Sequence, residues 1–210
     1  MRFTAVTPDR LVGDLADWIR GLGAEHPRIG FDGAAEIGAQ ELADAVAARL
    51  RILGRPAIRV STRWWWRPAS LRLELGRTDV DMLVSGWLDA PALRREVLDP
   101  LGPGGSGGYL RRLRDPETDR SVRGAPAVAD PRSALLLDGP FLQVGTLALD
   151  AFVHLQVSPA RLARALPSDR QWWLAGFARY RAQDRPVDHA QVVVAYDHPA
   201  APAIGWSVDR

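Results

Sequence analysis

Apolar positions along this chain fall into two rhythms. Between residues 8 and 23, Leu11, Val12, Leu15, Trp18, Ile19 and Leu22 recur three or four apart, which predicts an amphipathic helix with one buried stripe. Thr7 is placed to cap it, Pro8 suits its first turn, and Gly21 or Gly23 supplies the stop. A short apolar run, Ile29 to Phe31, then meets Asp32-Gly33, the pattern of a buried strand entering a tight turn. Beyond Gly38 a second helical stripe, Leu42, Val46, Leu50 and Leu53, stops at Gly54, and residues 56 to 60 form the next strand. Strand, glycine turn, helix and strand in that order make a βαβ unit, which implies a parallel sheet with a right-handed crossover.

From residue 61 to about 131 the rhythm lapses. This stretch holds Trp64-Trp65-Trp66, a predicted helix over 89–99, and a loop over 102–108 in which five of seven residues are Gly. Such a composition predicts a flexible connection or lid edge in preference to a phosphate cradle. Strands return at Ala134–Leu137, 151–157 and 191–196. Ser158-Pro159 opens a helix carrying Arg161 and Arg164, which are read as substrate or lid residues, a further helix covers 171–182, and Ser70 is read as another helix cap. Five strands alternating with helices predict one α/β domain over 1–210. It would be a three-layer sandwich around a mostly parallel five-stranded sheet, with 61–131 as a lid or substrate region.

Composition narrows the chemistry. The chain has no Cys, which excludes disulfides, thiolate metal clusters and a cysteine nucleophile. All 27 basic side chains are Arg, so no lysine Schiff base or phosphate-loop lysine exists. A net charge of +2 argues against nucleic-acid binding. No 18-residue apolar run is present and the first ten residues lack a signal-peptide layout, so no membrane association and a cytoplasmic location are expected. The four His are scattered: His154 is read as a strand residue of the core, and His26, His189 and His198 as surface.

In open parallel sheets, ligands bind beyond the carboxyl ends of the strands. After the first predicted strand stand Gly33, Ala34, Ala35, Glu36, Ile37, Gly38, Ala39 and Gln40, whose two Gly have phosphate-loop spacing ahead of a helix. After a later strand, Leu135-Leu136-Leu137-Asp138-Gly139 ends an apolar run on an acid suited to ordering Mg²⁺.

With these two elements in place, the chain resembles the bacterial uridine kinase-like proteins, nucleoside kinases of the P-loop NTPase fold, and in particular an actinobacterial-type branch. The resemblance also rests on residues 67–77, on Leu98-Asp99-Pro100-Leu101-Gly102-Pro103, on Leu137–Leu142 and on the stretch 152–164. It implies transfer of the ATP γ-phosphate to a nucleoside hydroxyl with Mg²⁺, residues 33–40 holding the nucleotide and Asp138 ligating the metal.

The departures are specific. Where the family places Lys and a Ser or Thr, this chain has Ala39 and Gln40; where it places an acidic pair and Phe, Arg63, Trp64 and Trp65 stand. A unit charge at 4 Å and effective dielectric near 20 is worth on the order of 4 kcal/mol, so loss of the Lys alone removes about three powers of ten in rate. Arg63 is a candidate replacement cation. Asp32 and Glu36 are candidate bases or metal ligands, against the reading of Asp32 as a turn cap and Glu36 as a solvated loop residue.

Three adjacent Trp cannot share one face. They form either a stacking platform for a nucleoside, flanked by Arg63, Arg67 and Arg72, or a plug in the site. Trp172-Trp173 is read as a helix packing face. Three functions follow: a nucleotide- or nucleoside-binding or regulatory protein with little or no phosphorylation; a working nucleoside kinase using Arg63 and Asp138; or a module that binds a protein partner or a second copy through the Trp run.

Overall fold

A computed structural model describes residues 1–145 and 147–207. The chain begins with a short strand, β1 (Phe3–Ala5), and helix α1 (Pro8–Gly21), whose first turn is capped by the Thr7 hydroxyl accepting from the Arg10 amide at 3.2 Å. Strand β2 (Arg28–Asp32) runs into one turn of 3-10 helix (Ala35–Ile37), then α2 (Ala39–Ile52) and β3 (Ala57–Ser61). A second 3-10 turn (Thr62–Trp65) leads to α3 (Ala69–Arg72), a widened turn (Met82–Gly86), and α4 (Ala90–Leu93), which continues as a widened turn over Arg94–Leu98. The ribbon β4 (Gly108–Tyr109) and β5 (Ala127–Val128) precedes β6 (Ala134–Gly139) and β7 (Ala151–Gln156). Then come α5 (Pro159–Ala165), α6 (Trp173–Gln183), α7 (Pro186–His189), β8 (Val192–Ala195) and β9 (Ala203–Trp206).

The main sheet has seven strands in the order β1-β9-β8-β7-β2-β6-β3, not the five expected. All five predicted strands are present, and they are the parallel ones, β3, β6, β2, β7 and β8. The two additions, β1 and β9, pair antiparallel at one side. They escape periodicity because strands of three and four residues with Gly and Ala in them carry too little alternation to register.

Strand alternation sorts the core into two layers. Ala134 and Leu136 of β6 pack with α1 and α2 on one face, while Leu135 and Leu137 pack with Ile58, Val60, Trp65, Leu93 and Leu98 on the other. Helical material therefore covers both faces of the sheet, the three-layer arrangement that buries parallel strands. Among the described residues no helix is long and apolar enough to cross a membrane.

Ser158 caps α5, its hydroxyl accepting from the Arg161 amide at 3.2 Å. Ser70 caps nothing: it lies inside α3, whose cap position is Pro68. The glycine-rich loop is also unlike its expectation. It folds back on itself through amides of Gly102, Gly105 and Gly107 bonded to Asp99, Gly102 and Pro100 carbonyls at 2.9–3.0 Å. A Cβ on residue 105 would lie 2.3 Å from the Pro100 carbonyl oxygen, so glycine here permits packing instead of preventing it. The loop touches Arg28 at the amino end of β2, the opposite end from the predicted phosphate loop.

Candidate functional site

The carboxyl ends of β2, β6 and β3 bring Asp32, Asp138 and Ser61 to one rim of the sheet. Beyond that rim lies a crevice of about 490 Å³. One wall is the β2–α2 loop with Ala35, Glu36, Gln40 and Glu41; another is Ser61, Thr62 and Arg63; Asp138 and Gly139 form the floor, and Trp66 and Trp173 are aromatic walls. The structure thus brings together Arg63, Trp66, Asp138 and part of the 33–40 loop.

The loop itself is tightly closed. The amide of Gly33 donates to Gly139 O at 3.0 Å, and the amides of Ile37 and Gly38 donate to Ala34 O and Ala35 O at 3.2 and 2.9 Å. Two amides that an anion cradle would leave free are therefore used within the loop. Ala34 and Ala39 are fully buried, and Ile37 packs into the core.

Asp138 is buried and fully engaged. Its Oδ1 accepts from Arg59 Nη2 at 2.5 Å and its Oδ2 from Ser61 Oγ at 2.8 Å. The same guanidinium donates to Asp44 at 2.7 Å and to Leu136 O at 2.6 Å. Burial pushes the Asp138 carboxyl above its ordinary range, opposed by the Arg59 charge and by both hydrogen bonds. Sequence reasoning missed Arg59. The signal was there: β3 reads Ala-Ile-Arg-Val-Ser, and a lone charge two residues before Ser61 must share its face.

Asp32 is not a turn cap. It is fully buried, and four donors converge on it: Leu142 N at 3.1 Å, Gln143 Nε2 at 3.2 Å, Tyr180 Oη at 2.8 Å and His154 Nδ1 at 2.7 Å. Burial, then the nearby Asp32 charge, pushes the Tyr180 phenol far above its ordinary value. His154 is the core residue expected, but its ring is also a partner of this carboxylate. Of the other three, His189 and His198 are exposed, while His26 is half-buried with Nδ1 3.0 Å from Ser133 O. Glu36 is not simply solvated either: Arg170 Nη1 donates to its Oε1 at 2.6 Å.

The Trp run divides three ways. Trp65 is fully buried in the second core layer; Trp64 is half-buried beneath Arg112, whose guanidinium sits 4.0 Å from its ring; Trp66 turns to the crevice. Trp66 meets Trp87 and Trp173 edge to face at 5.2 and 6.2 Å, and Trp172 joins the same cluster. The run therefore neither plugs the crevice nor presents three stacked rings to it. Trp173 is a packing residue as expected, yet also a wall of the site.

The remaining predicted arginines scatter. Arg72 is buried over Trp66 and Trp87 and bonded to Arg67 O at 2.7 Å and Asp119 at 3.4 Å, so it braces the cluster. Arg67, half-buried, is outside the crevice wall, as are Arg161 and Arg164 of α5. Arg63 is on the wall, 43% exposed and 3.8 Å from Glu117.

Gly139 joins floor to wall. A Cβ there would fall 1.8 Å from Thr62 Oγ1, so the strand end and the Thr62 turn approach only through glycine. Gly139→Ala is expected to destabilise the protein by about 2 kcal/mol or more, through this overlap at a positive φ. A urea titration checks it, and an unchanged midpoint would remove the close-approach argument.

By sequence, no known protein family and no curated protein matches the chain. By structure, solved proteins do. A protein described as a possible uridine kinase from Bacillus stearothermophilus superposes with a TM-score of 0.72 at 18% identity, over 88% of this chain and 97% of that one. The likeness is one of fold, an α/β sandwich around a mostly parallel sheet. A proposed fructose transport system kinase from Silicibacter sp. TM1040 superposes with a TM-score of 0.58 at 19% identity, over 87% and 94% of the two chains. The YGR205w protein gives 0.60 at 10% identity, over 95% and 97%. In this fold the loop after β2 and the acid of β6 occupy the rim where open α/β sheets bind ligands.

Proposed function

We propose that this P-loop kinase fold serves to bind a nucleoside or nucleotide, with little or no transfer of phosphate. The observation that carries the reading is the state of Asp138: both its oxygens are already bonded within the chain, to Arg59 and Ser61. The residues do not fit Mg·ATP. Position 40 offers an amide in place of a hydroxyl, position 39 offers a buried methyl in place of an ammonium, and two loop amides are bonded internally. Among the described residues, no three His, Asp or Glu side chains converge to hold a metal.

What the crevice keeps is suited to recognition. Trp66 gives it an aromatic wall, backed by the buried Trp173, and Ser61, Thr62, Gln40 and Glu41 give it hydroxyl, amide and carboxylate groups that pair with sugar hydroxyls. The expected result is that uridine and cytidine are not phosphorylated by ATP at ordinary kinase rates, measured by a coupled nucleoside diphosphate assay with Mg²⁺ present.

A second reading, a working nucleoside kinase with a rearranged site, has one observation in its favour: Arg63 and Asp138 line the same crevice. Turnover that disappears in Arg63→Ala would favour it and overturn the first. The interface reading of the Trp run lacks support, because Trp65 is buried and Trp64 and Trp66 are half-buried against their own chain.

A further inference from the structure

The crevice contains an ion pair that joins two distant segments. Glu36, in the loop between β2 and α2, binds Arg170 of the short turn between α5 and α6 at 2.6 Å, across 134 residues of chain. The carboxylate is 17% exposed, so the pair is partly shielded from water, and the same guanidinium lies 5.3 Å from the centre of the Trp173 ring. Both residues line the crevice.

We propose that Glu36 is a built-in anion that occupies Arg170, so that this crevice selects uncharged nucleosides over their phosphates. The proposal rests on the nucleoside-binding reading above for its ligand, but not for its mechanism.

Charge and geometry argue it together. Asp138 is paired with Arg59, which it shares with Asp44, and the crevice carries three further carboxylates, Glu36, Glu41 and Glu117, against two guanidiniums, Arg63 and Arg170. A phosphate with two negative charges entering this excess would have to displace Glu36 from Arg170, because guanidinium pairs with carboxylate and phosphate through the same N–H groups. Displaced, Glu36 would stay tethered beside the incoming phosphate and repel it. The amides of Ile37 and Gly38 offer no alternative, since they are bonded to loop carbonyls. A nucleoside brings no such conflict: its base needs the aromatic walls and its hydroxyls need acceptors, which the carboxylates are.

The test is calorimetric titration of the full chain with uridine, uridine monophosphate and inorganic pyrophosphate, in wild type, Glu36→Gln and Glu36→Gln/Arg170→Ala. Wild type is expected to bind uridine about tenfold or more tightly than its monophosphate. Glu36→Gln should gain about tenfold or more for both the monophosphate and pyrophosphate, and the double variant should lose that gain. Equal or tighter binding of the monophosphate by wild type, or a pyrophosphate affinity that Glu36→Gln leaves unmoved, would overturn the proposal. If uridine and its monophosphate bind none of the proteins, the nucleoside reading fails, and the pyrophosphate arm still decides the role of Glu36. Melting curves confirm that each variant is folded; Glu36→Ser substitutes if Glu36→Gln melts early.

Discussion

Asp32→Asn is expected to melt as early as Asp32→Ala, each on the order of 10 °C below wild type by calorimetry. A carboxylate of normal size replaced by an amide of the same size changes little in volume, so the loss must come from hydrogen bonding. Four donors point at Asp32, from Leu142, Gln143, His154 and Tyr180, and the site is fully buried. Ala leaves all four without an acceptor. Asn keeps one acceptor oxygen but turns an N–H₂ group toward donors, which is no better. Hydrogen bonds to a charged group contribute about 1.5–3 kcal/mol each and partial rescue by water reduces the total, so about 4 kcal/mol is expected, at about 2–4 °C per kcal/mol for a chain of this size. If Asp32→Asn melts like wild type, the donors are not aimed at a charge and the network has been misread.

Arg59→Met is the second large effect. It leaves the Asp138 carboxylate buried with only the Ser61 hydroxyl, and removing one partner of a buried pair costs about 3–5 kcal/mol. The signature that separates this from ordinary loss of packing is its pH dependence. Burial already raises the Asp138 carboxyl, and Arg59 is the main opposing influence, so the variant raises it further. A carboxyl whose value is raised by folding stabilises the fold in its protonated form. That contribution is complete below the ordinary carboxylate range and is lost as the pH rises through the folded-state value. The gap between wild type and Arg59→Met should therefore be small in acid and widen toward neutral pH, and adding Asp138→Asn should close most of it. A gap that is the same at all pH values would mean that the charge on Asp138 does not matter to the fold.

These two residues show where sequence reasoning worked and where it stopped. Asp138 was legible, because an acid after four apolar residues at the end of a parallel strand sits where the sheet opens to solvent. Its partner was not, because Arg59 belongs to another strand whose register with β6, Ser61 opposite Asp138, is fixed only when the sheet assembles. Asp32 was legible as the end of a strand, but not as the centre of a network whose members come from β7, α6 and the turn after β6. The Trp run was conspicuous, and adjacency required that its rings not share one face; which ring met the crevice depended on Trp87 and Trp173, 21 and 107 residues from Trp66.

The sequence by itself determined the parallel strands, the helices between them, the loop after β2 and the absence of Lys, Ser and Thr from that loop. Periodicity and residue identity are local properties, and they survive in any list of residues. Only the tertiary structure decided what the remaining charges do. Arg59 meets Asp138 and Arg170 meets Glu36 across chain separations of 79 and 134 residues, and such pairings follow from strand register and loop closure, to which no short window of sequence has access.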